Sequence, residues 1–378
     1  MSQRPPFLVV GAGAQGLTFA LELALRGEPV VLAEASGALG GQARSFRYGA
    51  YTFDYGLHAF VTRDPALIRF LRRVLGRDFR LFRPRAASRL GNGSVVEDTS
   101  SWCVGDLQRR LHALVPAAEE SWNCMRISEP PPVVYPRRGG FGGLFERMAA
   151  LFVERGGRLL LDTPVTAADL ELRAGRVSAV RLAGRRMAVR GVYWAAGAHR
   201  LATPAARPAA APEAPGEALI LFHFMVDGPA TVPYHWVRLH GVNSPLLPRL
   251  VYYPARFSPA NAPRGRHGVG AVVPLAAAAA APPEARALLR WFNDAPLTFA
   301  RTVVERLERD GLLRRDAILE TAVERMPLPA PRAAGTAGAW DGVADLWDAS
   351  RWTRDDPRES GVALQMRGAM DAARAVTA

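Results

Sequence analysis

The chain has 378 residues, 49% hydrophobic and 22% charged, enough for two packed domains and unlike a disordered, fibrous or disulfide-stapled composition. Its formal net charge is +13, yet all 48 basic residues are arginine, spread along the chain. That pattern fits solvated faces and a biased codon usage better than a specific nucleic-acid surface. In chain order, residues 7–10 (FLVV) read as a short buried strand, and Leu17 to Arg26 as a helix that Gly27 ends. Pro29 to Ala33 is a second strand, closed by Glu34, so the chain opens as a βαβ unit. "RDPALIRFLRRVLG" is another helix: Asp64 caps it, Pro65 suits its first turn, and Leu67, Ile68, Leu71, Val74 and Leu75 share one face. "FGGLFERMAALFVERGG" is a third helix, ended by Gly156 and Gly157. Residues 158–197 then alternate apolar and polar with glycine turns, as a strand, a β-meander and a returning strand, Val192 to Ala196. A Pro/Ala-rich loop follows (198–217), then four apolar strands, "ALILFHFMV", "YHWVRL", "RLVYYP" and "GVGAVVPL". Helices are expected at Pro283 to Phe292 and at Thr302 to Gly311, and the sequence holds no internal repeat.

Several classes are disfavoured at once. Cys103 and Cys124 have no CxxC neighbour, so neither a metal site nor a disulfide framework is expected, which fits a cytoplasmic protein. The N-terminal apolar run is broken by glycines and Glu22, unlike a signal peptide. The apolar stretch from Gly268 to Pro282 falls short of the roughly 20 residues that span a bilayer. A peripheral membrane contact stays open. No G-x-S-x-G or H-E-x-x-H occurs, so hydrolase chemistry has little support.

The stretch that carries chemistry is "VVGAGAQGLTFALELALRGEPVVLAEAS". A G-x-G-x-x-G means little alone, but here a strand precedes it, a helix follows, and an acid comes later. Gly11 makes the tight turn, Gly13 lets backbone approach a pyrophosphate, and Gly16 lets helix and strand pack closely. Ala14 and Gln15 lie in this loop as further cofactor-binding candidates, and the helix that follows offers free N–H groups and a positive dipole end to the phosphates. Glu34, with Ala35 beside it, lies 18 residues past Gly16, where a carboxylate accepts ribose hydroxyls and repels a 2′-phosphate. These residues suit NAD or FAD alike.

The next segment, "EASGALGGQARSFRYGAYTFDYGLHAF", resembles the FAD signature of the flavoprotein superfamily that includes phytoene desaturases, amine oxidases, protoporphyrinogen oxidases and UDP-galactopyranose mutases. Gly40, Gly41, Arg44 and Ser45 match its first part; Phe53, Asp54, Gly56 and His58 match its second. The resemblance implies FAD as cofactor, with Gly40, Gly41, Gln42 and Arg44 along the pyrophosphate channel. It places Gly56, Leu57 and His58 against the flavin ring, with His58 the one candidate catalytic residue, as a flavin-face group rather than a proton carrier. "YPRRGGFGGLFERMAALFVERGGRLLLDTPV" is similar to the second signature, with Val165 contacting adenine, and "VYWAAG" to the strand that returns beneath the cofactor, bringing Ala196 and Gly197.

The chain departs from the pattern in three places. Ser350 and Arg351 stand where Gly-Asp is usual, with Arg351 a candidate phosphate ligand, and Arg367 and Gly368 stand near the usual Ser-Gly. The lid segment between the signatures is short, with Trp102 and Trp122 as candidates for its pocket or for core. Lysine, which amine oxidases of this superfamily use near the flavin, is absent from the chain.

The resemblance implies an α/β protein: a Rossmann-like FAD-binding domain, glutathione-reductase-like, with a second β-rich α+β substrate domain. The expected division is 1–104, 135–205 and 323–378 for the FAD domain, 105–134 for the lid, and 206–322 for the substrate domain. The implied activity is an FAD-dependent oxidoreductase of desaturase or dehydrogenase type acting on a small or apolar metabolite. A non-redox relative of the UDP-sugar mutases and a flavin-free binding protein remain as alternatives. Tyr234, His235 and Trp236 are candidates for the pocket wall, with strand alternation making at least one of them core.

Overall fold

The computed structural model describes residues 4–62, 64–91, 93–97, 133–196, 218–240, 247–275, 296–327, 343–349 and 361–377. Gly197, Ser350, Arg351, Trp102, Trp122, both cysteines, the expected helix at 283–292 and nearly all of the lid lie outside them.

Four apolar residues with no polar partner form a strand only where both faces are covered. Phe7–Val10, fully buried, is the centre of a five-stranded parallel sheet. Its order is Arg158–Leu160, Val30–Ala33, Phe7–Val10, Gly191–Trp194, Leu346–Asp348. Phe7 stands opposite Val30 on one side and Gly191 on the other, so all three strands start level. Helices Ala14–Ala24, Gly143–Glu154 and Gly361–Thr377 share the core on one face. The meander Leu170–Arg173, Arg176–Leu182, Arg185–Ala188 covers the other. Helix Ala14–Ala24 starts three residues before the expected Leu17, because Gly13 is its N-cap. Helix Pro65–Leu75 is capped by Asp64, whose carboxylate accepts the Ala66 and Leu67 N–H groups.

A second, seven-stranded sheet runs Ile318–Pro327, Ala218–Asp227, Arg266–Leu275, Leu250–Tyr252, Trp236–Leu239, Ala86–Arg89, Val95–Glu97. The expected division is corrected here. Ala86–Glu97, assigned to the first domain, extends the second sheet, and Ile318–Pro327 runs across the 322/323 boundary. One face is covered by helix Pro296–Arg309, which begins six residues before the expected Thr302. The other receives the hairpin Ser45–Tyr48/Tyr51–Asp54 of the first domain. Glycines in strand Arg266–Leu275 make that docking possible. A Cβ on Gly268 would lie 2.7 Å from the Phe53 ring, and one on Gly270 2.2 Å from the Tyr252 ring. Among the described residues no helix is long and apolar enough to cross a membrane.

The arginine-rich stretch that begins at Arg173 forms surface ion pairs. Arg176 meets Asp345, Arg181 and Arg186 meet Glu171, and Arg190 meets Glu28. These are exposed pairs of small energetic value, on a solvated face.

Candidate functional site

The loop Gly11–Gly16 crosses the carboxyl end of the parallel sheet, where ligands of such folds sit. Three of its glycine contacts separate structural need from vacancy. Gly11 has φ +98° and presses on the Ala195–Ala196 backbone, where a Cβ would lie 3.2 Å away. A Cβ on Gly16 would stand 1.8 Å from the Gly11 carbonyl oxygen. Gly13 has ordinary extended backbone, and a Cβ there would meet nothing within 4 Å. The fold therefore requires Gly11 and Gly16 but gives Gly13 no internal reason to be glycine.

The second glycine pair closes on the first. Gly40 bridges to Gly13, and its N–H donates to the Ala12 carbonyl at 2.9 Å. A Cβ on Gly41 would lie 3.5 Å from the Gly13 Cα. Ala14 and Gln15 open a helix whose first turn holds no acidic residue and whose N-cap, Gly13, brings no side-chain cap. Gln15 donates to the Ala349 carbonyl at 3.0 Å, which brings the C-terminal segment to the helix start.

Glu34 is partly exposed and preorganised. One carboxylate oxygen accepts the Ala12 N–H at 2.7 Å, the other the Ser36 N–H and hydroxyl at 3.0 and 2.9 Å. The oxygen that meets Ala12 keeps a lone pair for a further donor, while the one that meets Ser36 already accepts two hydrogen bonds. Ala35 beside it is exposed. Val165 is buried among Val10, Ala33 and Val192, and the Thr163 N–H donates to the Glu34 carbonyl at 2.8 Å. The predicted adenine-side residues thus converge on the end of strand Val30–Ala33.

On the other flank, Arg44 stacks over the Tyr55 ring at 4.6 Å and the Phe46 ring at 5.3 Å. Its Nε is buried with no hydrogen-bond partner. His58 is buried and stacks on Phe141, ring centroids 5.6 Å apart. Its Nδ1 also lacks a partner, and burial lowers its pKa to about 4, so the ring is neutral at physiological pH. Phe141 meets Phe145, whose ring lies 2.7 Å from where a Gly40 Cβ would stand. Gly56 is buried, Leu57 partly so, while Gln42 sits partly exposed beside the glycine pair.

Sequence reasoning quoted Asp54 but gave it no role. It is the knot between the two signatures. Its carboxylate accepts the Phe141 N–H, the Ser45 hydroxyl and the Tyr135 hydroxyl, each at 2.7 Å. Gly140 and Gly142 leave room for this: a Cβ on Gly140 would lie 2.6 Å from the Asp54 carboxylate, and one on Gly142 2.7 Å from the Ser45 nitrogen. Burial raises the Asp54 pKa to about 6 against these hydrogen bonds. An acid one residue after Phe, with glycine pairs in the later signature, was the available signal.

Two expectations change. The C-terminal helix opens at Gly361, so Arg367 and Gly368 lie two turns inside it rather than near its start. Arg367 instead pairs with Asp64 at 2.9 Å, tying this helix to Pro65–Leu75. Of the pocket-wall candidates, Trp236 is core, stacked on Phe257. His235 stacks on Phe82 and accepts the Arg85 N–H, and Tyr234 lies under the Arg85 guanidinium. Among the described residues no cluster of His, Cys, Asp or Glu could hold a metal ion.

The model of the NAD(P)-binding Rossmann-like domain family matches residues 9–74. No curated protein matches the sequence. Three solved structures share the fold over nearly the whole chain. A reduced UDP-galactopyranose mutase matches with a TM-score of 0.68 and 12% identity, over 99% of this chain and 95% of that one. An oxidoreductase from Methanosarcina mazei matches at 0.62 and 16%, over 97% and 99%. A wild-type putrescine oxidase bound to putrescine matches at 0.61 and 15%, over 99% of both chains. Identities this low establish the architecture, a Rossmann-like domain with a β-rich second domain, and leave chemistry to be argued from the residues.

Proposed function

We propose that the chain is an FAD-dependent oxidoreductase, of the desaturase or dehydrogenase type, acting on a small or apolar metabolite. The observation that carries this is Gly13: it is the one glycine of the loop that no protein atom requires, and it is the N-cap of helix Ala14–Ala24, whose first turn holds no acidic residue. A pyrophosphate supplies the missing reason, because only hydrogen at that position lets phosphate oxygens reach the backbone.

The residues fit FAD along its length. Gly13, Ala14 and Gln15 would bind the pyrophosphate with Gly40, Gly41, Gln42 and Arg44. Glu34 would accept the ribose hydroxyls and Val165 would flank the adenine. Gly56, Leu57 and His58 would stand at the flavin ring, and the two buried unpartnered nitrogens, Arg44 Nε and His58 Nδ1, are donors or acceptors that the protein itself leaves unused. Ala196 would lie beneath the cofactor. When bound, FAD supplies the acceptor for a hydride from a substrate carbon. The chain's part is to orient the substrate and exclude water. A neutral His58, buried against Phe141, suits a wall of the ring and not a proton donor. Nicotinamide alone would leave Gly56, Leu57 and His58 with no flavin ring to face.

The test is anaerobic incubation of the FAD-loaded protein with apolar alcohols, amines and polyenes, reading loss of the oxidised flavin spectrum. Bleaching by one substrate class supports the reading. UDP-galactopyranose turnover by the reduced protein without net oxidation would replace it with mutase chemistry.

A further inference from the structure

Asp54 ends the strand Tyr51–Asp54 and stands opposite Ser45 across the hairpin. Beside this pair the Tyr55 N–H donates to the Arg44 carbonyl at 2.9 Å, and the Arg44 guanidinium lies over the Tyr55 ring. Gly56 and His58 follow at once along the chain. The acid therefore sits between the two parts of the first signature, one leading to the pyrophosphate and one to the flavin ring. Its carboxylate is buried, with Ser45 Oγ and the Phe141 N–H donating to one oxygen and the Tyr135 hydroxyl to the other.

These bonds extend in two directions. Towards the cofactor side, Ser45 Oγ also accepts the Gly142 N–H at 2.8 Å, so Asp54 holds the Gly140–Gly142 turn at two points, one direct and one through Ser45. The turn has no slack, because a Cβ on Gly140 would lie 2.5 Å from Ser45 Oγ. The Phe141 ring fixed in this way backs His58 and meets Phe145, which in turn presses on Gly40. Towards the second domain, the Tyr135 hydroxyl accepts from the Asn261 amide at 3.1 Å, and the Tyr252 hydroxyl donates to the Asp54 carbonyl at 2.8 Å. Tyr252 belongs to the seven-stranded sheet, and Asn261 to the short turn before its strand Arg266–Leu275.

The fold does not call for the charge. Burying a carboxylate opposes folding. Asparagine has the same shape, keeps an oxygen for Ser45 and Phe141, and offers an N–H to the Tyr135 oxygen. What ionisation adds is grip, since hydrogen bonds to a charged acceptor are roughly twice as strong as neutral ones. We propose that Asp54 is a positioning residue of the flavin face. Through the Phe141 backbone it fixes the wall behind His58, and through Tyr135 and Tyr252 it sets that wall against the substrate sheet. This rests on the FAD reading above.

The experiment compares the wild-type full chain with D54N, F141L and the double variant at pH 8, where Asp54 is ionised. Flavin-free protein is titrated with FAD by flavin fluorescence, the visible circular dichroism of the bound flavin is recorded, and the flavin-free sample is melted. D54N should melt no lower than the wild type. It should nevertheless bind FAD about tenfold more weakly, the scale of one charged hydrogen bond, and shift the circular-dichroism bands of the bound flavin. F141L keeps the backbone N–H but removes the ring through which Asp54 acts. In that background D54N should change FAD affinity by about twofold or less. S45A, which leaves the acid in place and removes the link to Gly142, should weaken FAD in the same direction as D54N. Unchanged affinity and unchanged bands in D54N overturn this proposal alone, as do losses that add fully with F141L. A D54N protein that melts well below the wild type also overturns it, since the charge would then serve the fold. A wild type that takes up no FAD removes the flavin reading and this proposal with it.

Discussion

Replacing Gly13 with alanine separates a glycine kept for a ligand from a glycine kept for the fold. The residue has φ −77° and ψ −172°, which alanine adopts without strain, and its Cβ would meet nothing within 4 Å. As N-cap, alanine is worse than glycine by about 0.5–1 kcal/mol, and it recovers about 0.4–1 kcal/mol by restricting the unfolded chain. The flavin-free variant should therefore melt within about 3 °C of the wild type. FAD affinity should respond quite differently. A methyl at that point displaces phosphate from the backbone N–H groups, and each charged hydrogen bond lost is worth about 1.5–3 kcal/mol. The dissociation constant should rise about tenfold to hundredfold for one such bond. Titration of flavin-free protein with FAD, followed by flavin fluorescence, measures this beside a thermal melt of the same sample. Unchanged FAD affinity would refute the reasoning, since the open face of Gly13 would then not be where the pyrophosphate sits.

Gly16→Ala should behave in the opposite way: its Cβ would sit 1.8 Å from the Gly11 carbonyl oxygen, so the fold should lose about 3 kcal/mol or more and soluble yield should drop with or without FAD. Glu34→Gln keeps one acceptor oxygen but loses the charge that Ala12 and Ser36 face, so FAD affinity should fall while affinity for the 2′-phosphorylated dinucleotide NADP should not, as binding assays with both would show. Asp54 has a folded pKa of about 6 against an ordinary 3.8, so its burial opposes folding fully above pH 6 and is relieved as pH falls towards 4. Going from pH 4 to 7, Asp54→Asn should therefore gain stability relative to wild type by up to about 3 kcal/mol in denaturant melts, and a pH-independent difference would contradict the assigned burial. His223 works with the reverse sign. It is wholly buried between the Tyr48 and Tyr252 hydroxyls, and its pKa falls to about 3, so the wild type should lose stability below pH 6.5 and His223→Gln should lose less.

What the sequence made legible follows from where the signals are local. The opening βαβ unit was readable because period and composition change sharply between FLVV, the glycine loop and the helix. The meander at 170–188 was readable from alternation with glycine turns. The attachment of Ala86–Glu97 to the second sheet was not, because nothing in a four-residue strand names a partner 150 residues away. Gly268 and Gly270 looked like ordinary strand residues, and only the rings of Phe53 and Tyr252 explain them. The register of the C-terminal helix failed for a related reason. Its small residues repeat, so Arg367-Gly368 mimics a helix start, while the tie to Asp64 that fixes it mid-helix lies 303 residues away. Within the loop, Gly11 and Gly16 were legible because a tight turn and a close helix–strand approach each demand glycine at that spacing. Asp54 was not, since its three donors come from segments that only folding assembles.

The most direct measurement is the visible absorption spectrum of the purified protein, with the chromophore released and identified. The account predicts a flavin spectrum, FAD as the released species and a stoichiometric load after incubation with added FAD. A colourless protein that takes up no added FAD would contradict it.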